Sequence, residues 1–187
     1  MKLTFTKELA TTYYREGHGY LRKCRVYKIY DGEQQIGQFV YHYNLCFFSF
    51  GNQSYHIDME RHYFKKSKYH LIDEKIQTKI GEYKLSDGMI HIGLLTIDGQ
   101  NIFVCDKLPN VRYSIFDPKS WGHFKIQVTN RINAVEYNFR IKTPFFRTTS
   151  IKRYPFAGEL ELWGDNLLLA FTGLFLLEWA LRLKDSG

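Results

Sequence analysis

Apolar and polar residues alternate along most of the chain in short runs that end at turn-forming residues. A period of two places successive side chains on opposite faces of a strand. Such runs occupy residues 76–85, 89–97 and 100–108, and the pairs Asp87-Gly88 and Asp98-Gly99 separate them. Asp-Gly between apolar runs is a strong hairpin signal. Together with runs at 122–129, 134–143, 145–154 and 159–162, the pattern predicts about ten to twelve strands.

One motif occurs three times among these runs: an aromatic, any, an aliphatic, an apolar and an Asp residue, followed by an apolar-Gly pair. The aromatic and aliphatic residues share one face of a strand. The Asp begins a turn, because its carboxylate can accept a hydrogen bond from the backbone ahead. Each copy therefore predicts a hairpin. The copies begin at Tyr27, Tyr69 and Tyr113, each just after a basic residue, Arg25, Lys68 or Arg112.

Residues 166–183 differ from the rest, because they are apolar on every face of a helical wheel until Glu178. Asp165 is the expected N-cap. The uncharged run 166–177 spans roughly 18 Å as a helix, against about 30 Å for a bilayer core. We therefore predict a helix buried in the protein, with a membrane tail anchor as the alternative. Gly173 disfavours a helix, so we expect a strand or a large aromatic side chain to pack closely against it.

The three hairpins, the apolar helix and the chain length resemble the tubby-like C-terminal superfamily, which includes tubby domains, phospholipid scramblases and LURP-one-related proteins. The resemblance extends from about Leu21 over most of the chain. It implies a mainly β fold, a closed antiparallel β-barrel of about 10–12 strands around a central hydrophobic C-terminal helix, in one domain over residues 1–187. The phosphoinositide-binding motif of tubby domains, and the palmitoylated cysteine cluster and calcium segment of scramblases, have no match here, so no residue roles carry over.

The composition narrows the classes of partner and compartment. The net charge of +7 favours anionic partners, or only reflects solubility. Cys24, Cys46 and Cys105 are an odd number without CxxC spacing, which argues against a disulfide framework and a zinc site. We expect them to be buried thiols in a reducing cytoplasm. The first twenty residues lack the apolar core of a signal peptide.

Two basic clusters are the candidate binding residues. Basic residues beside aromatic ones suit lipid headgroups, and the same mixture suits single-stranded nucleic acid. The alternative is a barrel rim with solvated charges. The first cluster is Lys65, Lys66 and Lys68, and the second is Arg147, Lys152 and Arg153, which lies among Phe145, Phe146, Tyr154 and Phe156.

A second candidate is a polar strand face at His56, Asp58, Glu60 and His62, whose residue types ligate metals but also occur on any solvated strand. No nucleophile elbow, P-loop or dinucleotide motif is present. Glu159 and Glu161 could form a carboxylate pair, although such pairs are common on strands. We therefore expect no catalytic activity, no cofactor and no metal.

The leading hypothesis from the sequence is a non-catalytic β-barrel domain that binds anionic membrane lipid headgroups of the phosphoinositide kind. It would be a cytoplasmic monomer, peripheral to a membrane, and nucleic acid is a less favoured partner. One alternative is a structural or protein-interaction module without lipid binding. Another is a small-ligand carrier or an enzyme that uses a cavity inside the barrel.

Overall fold

In the residues that it describes, the computed structural model contains thirteen β-strands and one α-helix. It describes residues 1–13, 21–42, 45–60, 68–86, 89–96, 99–105, 110–112, 119–128, 133–142, 156–164 and 166–184. The elements are β1 (Lys2–Tyr13), β2 (Leu21–Asp31), β3 (Gln34–His42), β4 (Leu45–Phe50), β5 (Gln53–Glu60), β6 (Lys68–Asp73), β7 (Thr78–Ser86), β8 (Met89–Thr96), β9 (Gly99–Cys105), β10 (Asn110–Arg112), β11 (Lys119–Val128), β12 (Asn133–Lys142), β13 (Phe156–Leu162) and α1 (Leu167–Lys184).

All thirteen strands belong to one antiparallel sheet in the order β10-β11-β12-β13-β1-β2-β3-β4-β5-β6-β7-β8-β9. Most neighbours are consecutive in sequence, and the pairing of β1 with β13 joins the two halves. Strand β9 also pairs with β11 over two residue pairs, Gln127 with Val104 and Val128 with Phe103. The prediction of a mainly β fold with one C-terminal helix is confirmed.

Strand β1 is the main element that the sequence pattern missed. It pairs with both β2 and β13 and contributes Leu3, Phe5 and Lys7 to the buried interior. The resemblance from about Leu21 leaves it out, and the predicted count of ten to twelve strands is correspondingly too low. Its TFTKELATT stretch mixes threonines and charges, which weakens the apolar signal on which a strand assignment rests.

The predicted hairpins at Tyr27 and Tyr69 are confirmed, and they share one register. Ile29 lies opposite Gly37, Leu71 lies opposite Gly81, and each ladder has an irregularity directly after that pair. The repeated Gly therefore marks the place where the two strands bend together. In the third copy, residues 113–118 lie outside the described residues.

The pairs on either side of the Asp-Gly signals also form hairpins. Ser86 lies opposite Met89, and Thr96 lies opposite Gly99. Gly99 is thus already the first residue of β9, whereas the Asp98-Gly99 pair predicts it in the turn.

Helix α1 packs on one face of the sheet. All residues from Leu169 to Glu178 are buried there. Asn166, not Asp165, precedes the first helical residue, and its Oδ1 accepts a hydrogen bond from the Leu169 amide at 3.3 Å. Asn caps a helix as well as Asp does. Asp165 lies outside the described residues.

The expectation for Gly173 is confirmed. A Cβ at this position would collide with the ring and hydroxyl of Tyr137 on β12. The same hydroxyl donates a hydrogen bond of 2.5 Å to the carbonyl of Ala170 in the helix. Glycine has a low helix propensity, but at position 173 it leaves the space that the buried Tyr137 ring needs against the helix backbone.

In an antiparallel sheet, successive connections alternate between the two ends of the strands, so each connection can be assigned to one end. We call the end where α1 begins the upper end. It holds the connections β2–β3, β4–β5 and β6–β7, and Phe171 of α1 contacts Phe50 there. We call the opposite end the lower end. There β5 meets β6 and β12 meets β13, and the last turns of α1 approach it through Glu178 and Trp179.

Candidate functional site

The predicted basic clusters fall almost wholly outside the described residues. This holds for Lys65, Lys66, Arg147, Lys152 and Arg153, while Lys68 is the first residue of β6, opposite Glu60, with its side chain undescribed. The strands on either side of the clusters are described. In the sequence, Lys65 and Lys66 lie between β5 and β6, and Lys68 is the first residue of β6. The second cluster lies between β12 and β13. Both pairs of strand ends are at the lower end.

The described side chains do not account for the positive charge of the protein. They include eight of the 26 Lys and Arg residues and eleven of the 19 Asp and Glu residues. The described part is therefore slightly acidic, and the net charge of +7 comes from the other segments of the sequence.

A buried ionic cluster lies near the lower end, between α1 and the sheet. Glu178 is completely buried, and its Oε2 lies 3.3 Å from Nζ of Lys7, which is also buried. Its Oε1 lies 3.1 Å from Nε of Arg25, whose side chain is 20% exposed. The hydroxyl of Tyr27 donates a hydrogen bond of 2.7 Å to Oε2. One carboxylate on α1 thus joins β1 and β2.

The surroundings of Tyr27 make its hydroxyl a weaker acid than that of a free tyrosine. Burial, and then the neighbouring Glu178 carboxylate, raise the pKa of this tyrosine well above its ordinary value. Aromatic rings complete the surroundings, since Lys7 lies 5.6 Å from the Tyr27 ring centre and Arg25 lies 5.6 Å from that of Tyr41. Charges that are paired in this way orient the helix in the sheet. They form no nucleophile–base pair.

The sequence analysis singled out three members of this cluster but did not predict that they meet. Arg25 and Tyr27 belong to the repeated motif, and Glu178 marks the end of the uncharged run. An acidic residue inside an apolar helix signals a buried cation, because an unpaired buried charge is very costly. The sequence does not reveal which cation this is, and Lys7 gave no signal.

The polar face of β5 is partly described. His56 Nδ1 lies 3.3 Å from Oε1 of Glu74, and its Nε2 lies 3.7 Å from Oδ2 of Asp58. Glu74 was missed, because it lies beyond β6 in the sequence and reaches His56 only through the fold. The Glu60 side chain and His62 lie outside the described residues.

A second His-carboxylate pair lies on the neighbouring strands. His70 Nδ1 is 3.7 Å from Oε2 of Glu82, which also lies 2.5 Å from Nζ of Lys79. Among the residues with described positions, no group of three or more His, Cys, Asp or Glu side chains is arranged to hold a metal ion. These contacts match a solvated strand face with ion pairs.

The remaining candidates from the sequence are the cysteines and the pair Glu159 and Glu161. Cys24 and Cys46 are buried thiols, as expected, and the Cys105 side chain is not described. Glu159 and Glu161 lie on β13 opposite different partners, Thr4 and Lys2 on β1.

Within the described part of the chain, no helix is both long enough and apolar enough to cross a membrane. No protein family, curated protein or solved structure matches the chain.

Proposed function

We propose that this protein is a non-catalytic β-barrel domain that binds anionic membrane headgroups with its lower end. The membrane would attract the basic residues in the lower-end connections, at about 1 kcal/mol for each Lys or Arg near the surface. The proposed contacts are Lys65, Lys66, Lys68, Arg147, Lys152 and Arg153.

The proposal includes closure of the sheet into a barrel around α1, as in the tubby-like superfamily that the chain resembles. The β9–β11 pairing supports closure, because it links one edge strand to a strand near the opposite edge. The helix also contacts strands far apart in the sheet order. Phe175 packs on Tyr83 of β7, whereas Gly173 faces Tyr137 of β12.

The location of the flanking strand ends carries the functional proposal. Two clusters that are about 80 residues apart in sequence are both bracketed by strand ends at the lower end. The described β2–β3 and β6–β7 hairpin tips at the upper end have the opposite character, since they carry Asp31, Glu33, Asp73 and Glu74 against the two cations Lys75 and Lys79. A domain with one basic and one acidic end is attracted to an anionic surface in one orientation.

The interior is a poor place for a ligand. Helix α1 fills the space that a barrel cavity would need, with Phe171, Leu174 and Leu177 completely buried. This favours function at the surface over the alternatives of a carrier or an enzyme with a ligand inside the barrel.

The test is co-sedimentation with phosphatidylcholine vesicles, with and without phosphatidylserine or phosphatidylinositol 4,5-bisphosphate. We expect binding only to the anionic vesicles, and we expect it to weaken as salt is raised. The variant Lys65→Gln/Lys66→Gln should bind about 30-fold more weakly, the equivalent of about 2 kcal/mol. Arg147→Gln/Arg153→Gln should lose a similar amount.

The matched control is Lys75→Gln/Lys79→Gln, which removes the same charge from exposed residues of the β6–β7 hairpin. It should keep nearly all of the binding. An equal loss in the control would show only a net-charge effect and would overturn the proposed orientation. Absence of binding at low salt would overturn lipid recognition, and a stable protein partner would then favour the interaction-module alternative. Preferential binding of a single-stranded oligonucleotide would favour nucleic acid.

A further inference from the structure

A cleft of about 740 Å³ opens at the upper end, far from the proposed membrane contacts. It lies between the tip of the β2–β3 hairpin and the tip of the β4–β5 hairpin, and Leu167 at the start of α1 forms part of its wall. Strands β3 and β4 are paired as far as Gly37 and Phe50, and the two hairpin tips extend beyond this pair. The volume is within the range of ligand clefts in proteins.

The lining is unusual because it is polar without being charged. Four of the seven glutamines in the sequence line this one cleft, and none of the Asp, Glu, Lys or Arg residues with described side chains does. At the β6–β7 tip, by comparison, the Asp73 side chain is occupied, because it accepts hydrogen bonds from the backbone of its own turn. The polar residues of the cleft are Gln34, Gln35, Gln38, Ser49, Asn52 and Gln53.

These amide side chains are available to a ligand. Within the described part of the chain, no side-chain hydrogen bond or ion pair engages Gln34, Gln38 or Asn52. Each amide offers two donor hydrogens and one carbonyl acceptor. Gln38 lies directly opposite Ser49 across the β3–β4 ladder, which brings an amide beside a hydroxyl.

The cleft also has a rigid apolar wall. The Phe50 ring stacks on Phe171 at 5.1 Å with an angle of 6° between the planes, and on Tyr55 at 5.5 Å. Gly37 leaves no room for change here, since a Cβ would come within 2.6 Å of both the Phe171 ring and the Ser49 carbonyl oxygen. Ile36, Phe50 and Leu167 give the lining an apolar part beside several amides, which suits a ligand with one apolar face and many hydroxyls.

We propose that this cleft is a binding site for a neutral, polyhydroxylated ligand, a short oligosaccharide. Hydroxyls both donate and accept, as do amides, so the two pair without an ion. A phosphate or carboxylate ligand would lack a cation in the lining. A peptide added as a strand would need a free sheet edge, but β3 and β4 are hydrogen-bonded to neighbours on both sides up to the cleft. The site is independent of lipid binding at the lower end.

The test is titration of the ¹⁵N-labelled protein with cellotriose and, separately, chitotriose, monitored through the side-chain amide resonances. We expect the resonances of Gln34, Gln38 and Asn52 to shift together and to saturate. The variant Gln38→Ala/Asn52→Ala should bind at least about tenfold more weakly, because it loses two amide partners. The matched control, Gln127→Ala/Asn138→Ala, removes the same two residue types from β11 and β12 and should bind normally.

Absence of any shift with either sugar overturns the proposal. Equal weakening in the control variant overturns it as well, and so does normal binding by Gln38→Ala/Asn52→Ala. Triglycine is the competing probe, and shifts with triglycine but not with either sugar would identify a peptide site instead. Circular dichroism establishes that each variant is folded, and Gln35→Ala/Gln53→Ala, at exposed positions of the same cleft, replaces Gln38→Ala/Asn52→Ala if that variant is not.

Discussion

The hydroxyl of Tyr27 donates a 2.7 Å hydrogen bond to the carboxylate of Glu178, which lies 151 residues further along the chain. This contact connects the first copy of the repeated hairpin to the C-terminal helix. Because Lys7 and Arg25 approach the same carboxylate, a shift of the helix along its axis would break three polar contacts together. The apolar helix surface alone would allow several positions, so this cluster selects one of them.

The first prediction concerns loss of the buried carboxylate. Glu178→Leu should lower the free energy of unfolding by about 3–5 kcal/mol, because it leaves the Lys7 ammonium buried without that partner. The measurement is urea denaturation followed by circular dichroism. The double variant Lys7→Met/Glu178→Leu should recover a large part of the loss. Simple additivity of the two single variants would show that the pair is not coupled.

The second prediction concerns alkaline pH. Burial is the first cause that raises the pKa of Tyr27, Tyr55 and Tyr83, so the folded protein holds these protons at a pH where the unfolded chain loses them. Their contribution to stability is complete below about pH 10 and is lost as the pH rises above that value. Urea midpoints measured between pH 8 and pH 11 should therefore fall beyond about pH 10. Tyr27→Phe should make the fall shallower, and an unchanged slope would contradict the assignment.

The third prediction concerns the contact between Gly173 and Tyr137. Gly173→Ala should destabilise the protein by about 1–3 kcal/mol through overpacking, although Ala is the better helix former by about 1 kcal/mol. Thermal unfolding measures the change. Combining Gly173→Ala with Tyr137→Leu, which removes the ring, should cost less than the sum of the single substitutions. A stabilised Gly173→Ala variant would mean that the ring lies elsewhere.

The fourth prediction concerns the start of α1. Asn166→Ala should cost about 1 kcal/mol of stability, because the Leu169 amide loses its side-chain acceptor. Asn166→Ser keeps an N-cap oxygen and is the conservative control, with a cost near zero. Equal losses in the two variants would indicate that the Asn166 side chain acts by another contact.

The sequence predicts the parts of this fold whose signals are local. The hairpins at Tyr27 and Tyr69 and the helix from Leu167 follow from alternation, turn residues and an all-round apolar surface. The crowding at Gly173 also has a local signal, since glycine is a poor residue inside a helix. In each case neighbouring residues in the sequence determine the local structure.

The features that the sequence does not predict depend on distant partners. Nothing near Lys7 indicates that its charge meets Glu178, and nothing near His56 indicates Glu74. The upper-end cleft has no sequence signal either, because glutamines at a hairpin tip are typical solvated residues. The cleft forms only where two hairpin tips lie side by side. The basic clusters differ from these features, because residue type alone identifies them. Binding of an anionic partner depends in addition on the positions of their side chains in space.

The pairing of β1 with β13 has a consequence for how the chain is made. During synthesis, residues 2–13 leave the ribosome long before residues 156–162, which form one side of their final ladder. Until then β1 has an unpaired edge, and its Phe5 also needs the rings of Tyr137 and Phe139, which are synthesised more than 130 residues later. Such long-range pairing slows folding and prolongs exposure of aggregation-prone strands. Nascent chains truncated before residue 156 should therefore associate with chaperones, and the native sheet should form only after α1 has been released.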